Sequence, residues 1–107
     1  RMEHLPLHEG NITSDEPGIY IEGSHGIRLE NLTLVEQAFQ NEFGRFFRLS
    51  FLTMVPLDLD AIDVRLLESH EIELLNQYHQ QVYANLAPYF SGDKLAWLQH
   101  ATREVQL

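Results

Sequence analysis

The hydrophobic rhythm of the chain changes once, between residues 42 and 51, and the two sides of that change predict different kinds of structure. From Ile12 to Val35, β-branched and aromatic residues are interrupted by Pro17-Gly18 and by Glu22-Gly23-Ser24-His25-Gly26, which predicts two strands joined by a tight glycine-containing turn. Within the second arm, alternation puts Ile27, Leu29 and Asn31 on one face and Arg28, Glu30 and Leu32 on the other. Arg45 to Leu57 is apolar enough for one or two buried strands closed by Pro56. Beyond Ser69 the apolar spacing becomes three and four. Ile72, Leu75, His79, Val82 and Leu86 predict a helix capped by Ser69, with Glu71 and Glu73 near the positive end of its dipole and Pro88 ending it. Ser91-Gly92-Asp93 starts a second helix whose stripe is Leu95, Leu98, Ala101 and Val105. The predicted class is α+β: an antiparallel sheet over about residues 12–57, then a helical hairpin.

Composition narrows the functions this frame can carry. Seven basic against sixteen acidic side chains leave a net charge of −9, the wrong sign for a phosphate backbone or an anionic membrane, so neither nucleic acid nor membrane is expected as a partner. The absence of cysteine excludes disulfide frameworks, thiol nucleophiles, zinc ribbons and iron–sulfur clusters. With 107 residues, 44% of them hydrophobic, one modest core is the ceiling and a disordered acidic tail is excluded. Methionine stands second, without the apolar run of a signal peptide, so the chain is expected to be the cut end of a longer one. The compartment is only weakly bounded by the sequence, and a cytoplasmic location is the expectation.

Two glutamates are the leading candidates for chemistry. With the turn centred near Gly23, Glu16 falls opposite Glu30 across the hairpin, with about 5 Å between Cβ atoms. Carboxylates that close repel unless a proton or cation lies between them, and a pair of divalent ions is one solution; hard oxygen ligands suit manganese or magnesium. An ordinary cross-strand pair on a solvated face satisfies the same spacing, so spacing alone leaves the choice open.

A resemblance weighs on that choice. Ser14-Asp15-Glu16-Pro17-Gly18-Ile19-Tyr20, followed by Gly26-Ile27-Arg28-Leu29-Glu30-Asn31-Leu32, resembles the closing part of the pita-bread metallopeptidases, specifically the Xaa-Pro aminopeptidases. Leu52-Thr53-Met54-Val55-Pro56-Leu57, Ile62-Asp63, Glu71-Ile72, Tyr78-His79 and Ala96-Trp97-Leu98 are similar to the C-terminal extension of that family's longer members. The resemblance implies a catalytic-domain end over residues 1–52 and an extension over 53–107. It also implies a binuclear site with two Asp, one His and two Glu ligands, of which this chain would carry only the two glutamates. Glu16 matches the ligand that also moves protons to and from the attacking water, and Glu30 matches the ligand bridging both ions. Arg28, beside Glu30, fits a carboxylate-orienting role. The implied parent activity is hydrolysis of the N-terminal Xaa-Pro bond of peptides with proline second, by a homo-oligomer using two divalent metal ions, manganese by preference. This piece by itself is expected to bind no metal tightly and to be inactive. A non-catalytic pita-bread relative, serving as an interaction or dimerisation module, is the competing reading.

The histidines add little. His25, in the hairpin loop, is a candidate for meeting substrate, with a solvated loop histidine as the favoured alternative. His8-Glu9-Gly10 imitates a family motif but lies too close to Glu16 to carry its role, and the His4/His8 spacing is broken by Pro6. His79 is expected on the apolar side of its helix as a satisfied core residue, and His100 on a helix surface. Asn11-Ile12-Thr13 and Asn31-Leu32-Thr33 match the glycosylation acceptor by chance. Trp97, Tyr83, Tyr89 and Phe90 are expected to pack in the core, with a dimer contact second.

Overall fold

A computed structural model describes residues 5–106; His4 lies outside them. The class is α+β, and the chain divides into two units, Arg1–Thr53 and Met54–Leu107.

The first unit holds five strands: β1 (Ile12–Asp15), β2 (Gly18–Ile21), β3 (His25–Arg28), β4 (Asn31–Asn41) and β5 (Gly44–Phe51). They form a three-stranded antiparallel sheet in the order β1-β4-β5 and a separate two-stranded sheet, β2-β3. The two sheets share one hairpin. β2 pairs with β3 in the register Gly18↔Arg28 to Ile21↔His25, and β1 pairs with β4 in the register Ile12↔Leu34 to Asp15↔Asn31. Each register, continued inward, meets the other, so residues 12–34 make one long hairpin interrupted at Glu16-Pro17 and Leu29-Glu30. Pro17 has no N–H to give the ladder, and it keeps only the bond its carbonyl accepts from Leu29 N–H at 3.1 Å. The predicted turn is Glu22-Gly23-Ser24, and His25 is the first residue of β3 rather than a loop residue.

β4 runs six residues beyond Val35, through a bulge between Gln37 and Phe39, and pairs along its length with β5. Glu36 to Asn41 carry no one-sided apolar pattern, so pairing with β5 makes them a strand where local propensity does not. The expected strand region to Leu57 ends earlier, at Phe51; the segment from Leu52 to Asp58 is irregular, and Pro56 lies inside it.

The second unit is helical. Single 3-10 turns at Leu59–Ala61 and Val64–Leu66 follow Asp58 and Asp63, whose carboxylates accept from Asp60 and Arg65 N–H groups. α1 (Ser69–Leu86) buries Ile72, Leu75, Tyr78, His79 and Val82. Its cap is Glu68 rather than Ser69, and the Glu71 carboxylate accepts the Glu68 N–H at 2.8 Å. α1 ends before Pro88, which falls in a 3-10 turn, Ala87–Tyr89, and α2 (Gly92–Ala101) starts after Ser91, as the sequence predicts, though the Ser91 side chain makes no capping bond. Leu98 is fully buried, but Val105 lies beyond the end of α2, tied by two backbone bonds to the Asn76 side chain at 2.8 and 2.9 Å. No helix of the described residues is long and apolar enough to cross a membrane.

Candidate metal and substrate site

The interruption of the long hairpin is where the two glutamates stand. Because Leu29 N–H reaches Pro17 O, residues 17 and 29 occupy a hydrogen-bonded position, and the next pair outward, Glu16 and Glu30, falls at a non-hydrogen-bonded one. At such positions opposed Cα atoms approach to about 4.5 Å and side chains lie closest. Both glutamates are exposed, and both carboxylates act on Arg28. Arg28 Nε meets Glu30 Oε2 at 3.0 Å, the same-face neighbour relation that strand alternation predicts.

One member of this face was missed in the sequence. Alternation from Glu16 leads through Gly18 to Tyr20, and from Glu30 through Arg28 to Gly26. Tyr20 lies across both glycines: a Cβ on Gly18 would sit 2.7 Å from the Tyr20 hydroxyl and 2.9 Å from Ile27 O, and a Cβ on Gly26 would sit 2.8 Å from the Tyr20 ring. The ring has room to lie along the hairpin because Gly26, opposite it, and Gly18, two residues before it, have no side chain. Tyr20, followed by the Glu30 charge, holds the Arg28 guanidinium above its ordinary pKa. The signal that could have found Tyr20 is the pair of small residues flanking it on one face.

Asn31 and Thr53 complete the surroundings. Asn31 is buried, its Oδ1 accepts the Thr53 N–H at 3.3 Å, and Thr53 Oγ1 accepts the Leu32 N–H at 3.0 Å. A buried Asn31 side chain is no glycan acceptor.

His25 is not brought to the glutamates. It stands at the turn end of the hairpin, five residues from Glu30 or about 17 Å at strand rise, with Nδ1 bonded to Ser24 Oγ at 2.9 Å. His8 lies outside the strands, and its N–H donates to Asn11 Oδ1 at 2.8 Å. In the second unit His79 is 1% exposed, and its Nε2 accepts the Leu57 N–H at 3.0 Å. Its Nδ1 is buried without a partner, so the core histidine expected from the sequence is satisfied on one nitrogen only. Trp97 and Tyr89 are 57% and 82% exposed, which overturns the expectation that they pack in the core.

Among the described residues no group of three or more His, Cys, Asp or Glu could hold a metal ion. Two carboxylates facing each other across the hairpin fit hard divalent cations as part of a larger ligand set.

The model of the C-terminal region of the M24 peptidases matches residues 45–105. The probable Xaa-Pro aminopeptidase P of Fusarium vanettenii is 41% identical over 111 residues, an alignment covering 99% of this chain and 18% of that protein. Xaa-Pro aminopeptidase 2 of Sus scrofa is 36% identical over 106 residues, covering 95% of this chain and 16% of its own. The crystal structure of X-prolyl aminopeptidase from Caenorhabditis elegans, described as a cytosolic enzyme with a di-nuclear active site, superposes with a TM-score of 0.80 at 33% identity. That match covers 92% of this chain and 17% of the other. The chain spans less than a fifth of the length of these relatives. With more than half of its residues matched by the family model, the chain belongs to the M24 peptidase family, of which it carries the C-terminal region.

Proposed function

We propose that this chain is the closing part of a metallo-aminopeptidase that hydrolyses the N-terminal Xaa-Pro bond of peptides, and that residues 1–52 end its catalytic domain while 53–107 form its extension. The opposition of Glu16 and Glu30 across the broken hairpin carries the proposal. Two divalent ions, manganese by preference for carboxylate oxygen, would supply an activated water and a polarised carbonyl at this pair. Glu16 holds one side of the site and passes a proton from the attacking water to the departing amine. Glu30 would hold both ions, and Arg28, whose Nε meets its Oε2 at 3.0 Å, would orient its carboxylate. His25 would meet only the far end of a peptide lying along the hairpin.

Two of five ligands do not make a tight site, so this piece by itself is inactive. The exposed Trp97 and Tyr89 support a homo-oligomer, with the extension as its contact surface. A cytoplasmic location is supported by the cytosolic description of the nematode relative.

The test is hydrolysis of an Xaa-Pro-Xaa peptide by the full-length protein with and without manganese, beside Glu16→Gln and Glu30→Gln. Manganese-dependent cleavage that falls at least about 100-fold in both variants is the expected result. A folded, metal-loaded protein that cleaves nothing would favour the interaction-module reading.

A further inference from the structure

Glu30 occupies the gap between β3 and β4, where the strand ladder is broken, so something besides regular pairing must set its position. Arg28 meets its carboxylate from the β3 side. On the β4 side, three hydrogen bonds run from the chain just after β5 onto the two residues following Glu30. Thr53 N–H donates to Asn31 Oδ1 at 3.3 Å, Leu32 N–H donates to Thr53 Oγ1 at 3.0 Å, and Leu52 N–H donates to Leu32 O at 2.8 Å. Asn31 is also the register partner of Asp15, the residue before Glu16. Asn31 thus adjoins Glu30 along the chain and Asp15 across the register, so what grips its buried side chain also fixes the backbone that carries both glutamates, and the gripping segment lies inside the matched C-terminal region.

We infer that Asn31 and Thr53 form a clamp that positions the Glu16–Glu30 pair, so that the C-terminal region helps build the metal site without supplying a ligand. The inference rests on the two glutamates being metal ligands. A bridging carboxylate must satisfy two ions at fixed distances, so play at its backbone weakens metal affinity before it disturbs the fold. Thr53 and Asn31 are positioning residues, acting through the backbone that carries Glu30.

The test uses the full-length protein stripped of metal and titrated with manganese by calorimetry, with melting temperature and the separate kcat and KM measured alongside. Thr53→Val keeps the side-chain shape and removes the acceptor for Leu32 N–H; Thr53→Ser keeps the acceptor. The clamp predicts manganese binding weakened about 10-fold in Thr53→Val, with a lower kcat, a little-changed KM, and recovery in Thr53→Ser. Should Thr53→Val fail to fold, Asn31→Ser shortens the other arm of the clamp and is expected to weaken manganese binding in the same way. Unchanged manganese affinity in the folded variant, or a loss that Thr53→Ser does not reverse, overturns the clamp. Glu30→Gln separates the two ideas: wild-type manganese affinity there removes the ligand assignment itself, whereas weakened binding there with an unaffected Thr53→Val removes only the clamp.

Discussion

The two units handle apolar side chains in opposite ways. In the sheet unit, Ile19, Tyr20, Ile21, Ile27, Phe39 and Leu49 are all at least half exposed, and Val35 is the one large apolar residue fully buried among those described. In the helical unit, Ile72, Leu75, Tyr78, Val82 and Leu98 are all buried. Polar side chains of α1 then grip the irregular segments around that core: Tyr78 Oη donates to Val55 O at 2.7 Å, His79 Nε2 accepts from Leu57 N–H, and Asn76 holds Val105. A helical unit of this kind derives its stability from its own packing. A sheet unit with so many exposed apolar side chains derives its order from ladder bonds and from whatever covers those side chains, which suits a wall of a larger site.

Matched truncations break this comparison most sharply. Leu98→Ala should destabilise the chain by about 3 kcal/mol, because the side chain is fully enclosed and leaves a cavity. His79→Ala comes next, at about 2 kcal/mol, since it strands the Leu57 N–H and empties a buried site. Denaturant titrations followed by Trp97 fluorescence and circular dichroism read both. Acid sharpens the same point. Burial, then the Arg103 charge, push the His79 pKa below its ordinary 6.5, and protonation would also remove the acceptor for Leu57 N–H. Tyr78 is the other ring beside it, and Asp60 pairs with Arg103 at 3.0 Å. The unfolded chain takes up this proton near 6.5 and the folded chain resists it. The stability due to neutral His79 is therefore complete above pH 6.5 and lost as pH falls through the lower folded value. His79→Gln should flatten that acid limb in stability measured from pH 8 to 5. Smallest of all, Ile27→Ala should cost less than about 1 kcal/mol, its side chain being 53% exposed. An Ile27→Ala loss as large as that of Leu98→Ala would show the sheet unit to be internally packed.

The same contrast explains what the sequence disclosed. α1 was legible because burial on one side writes a three-and-four spacing, and the hairpin register was legible because a glycine turn and a proline bracket it. Glu36 to Asn41 were not, since a strand exposed along most of its length needs no alternation and borrows its conformation from β5. Ser69 looked like a cap because hydroxyls are common there, whereas the reciprocal Glu68–Glu71 pair does that work. At the site, Glu16, Glu30 and Arg28 follow from register and period two. Tyr20 was hidden because its place depends on two glycines in different strands, and Thr53 because its partner is 22 residues away in the chain. Trp97 misled for a simpler reason: size argues for burial only where a surface is available to bury it.

We propose that Glu16 and Glu30 share a metal pair in the full-length protein. The most direct measurement is anomalous diffraction at the manganese absorption edge from manganese-soaked crystals of the full-length protein. Two peaks about 3.5–4 Å apart are expected, with the Glu30 carboxylate touching both and Glu16 touching one. Manganese bound elsewhere, or Glu30 held by Arg28 with no metal neighbour, would contradict it.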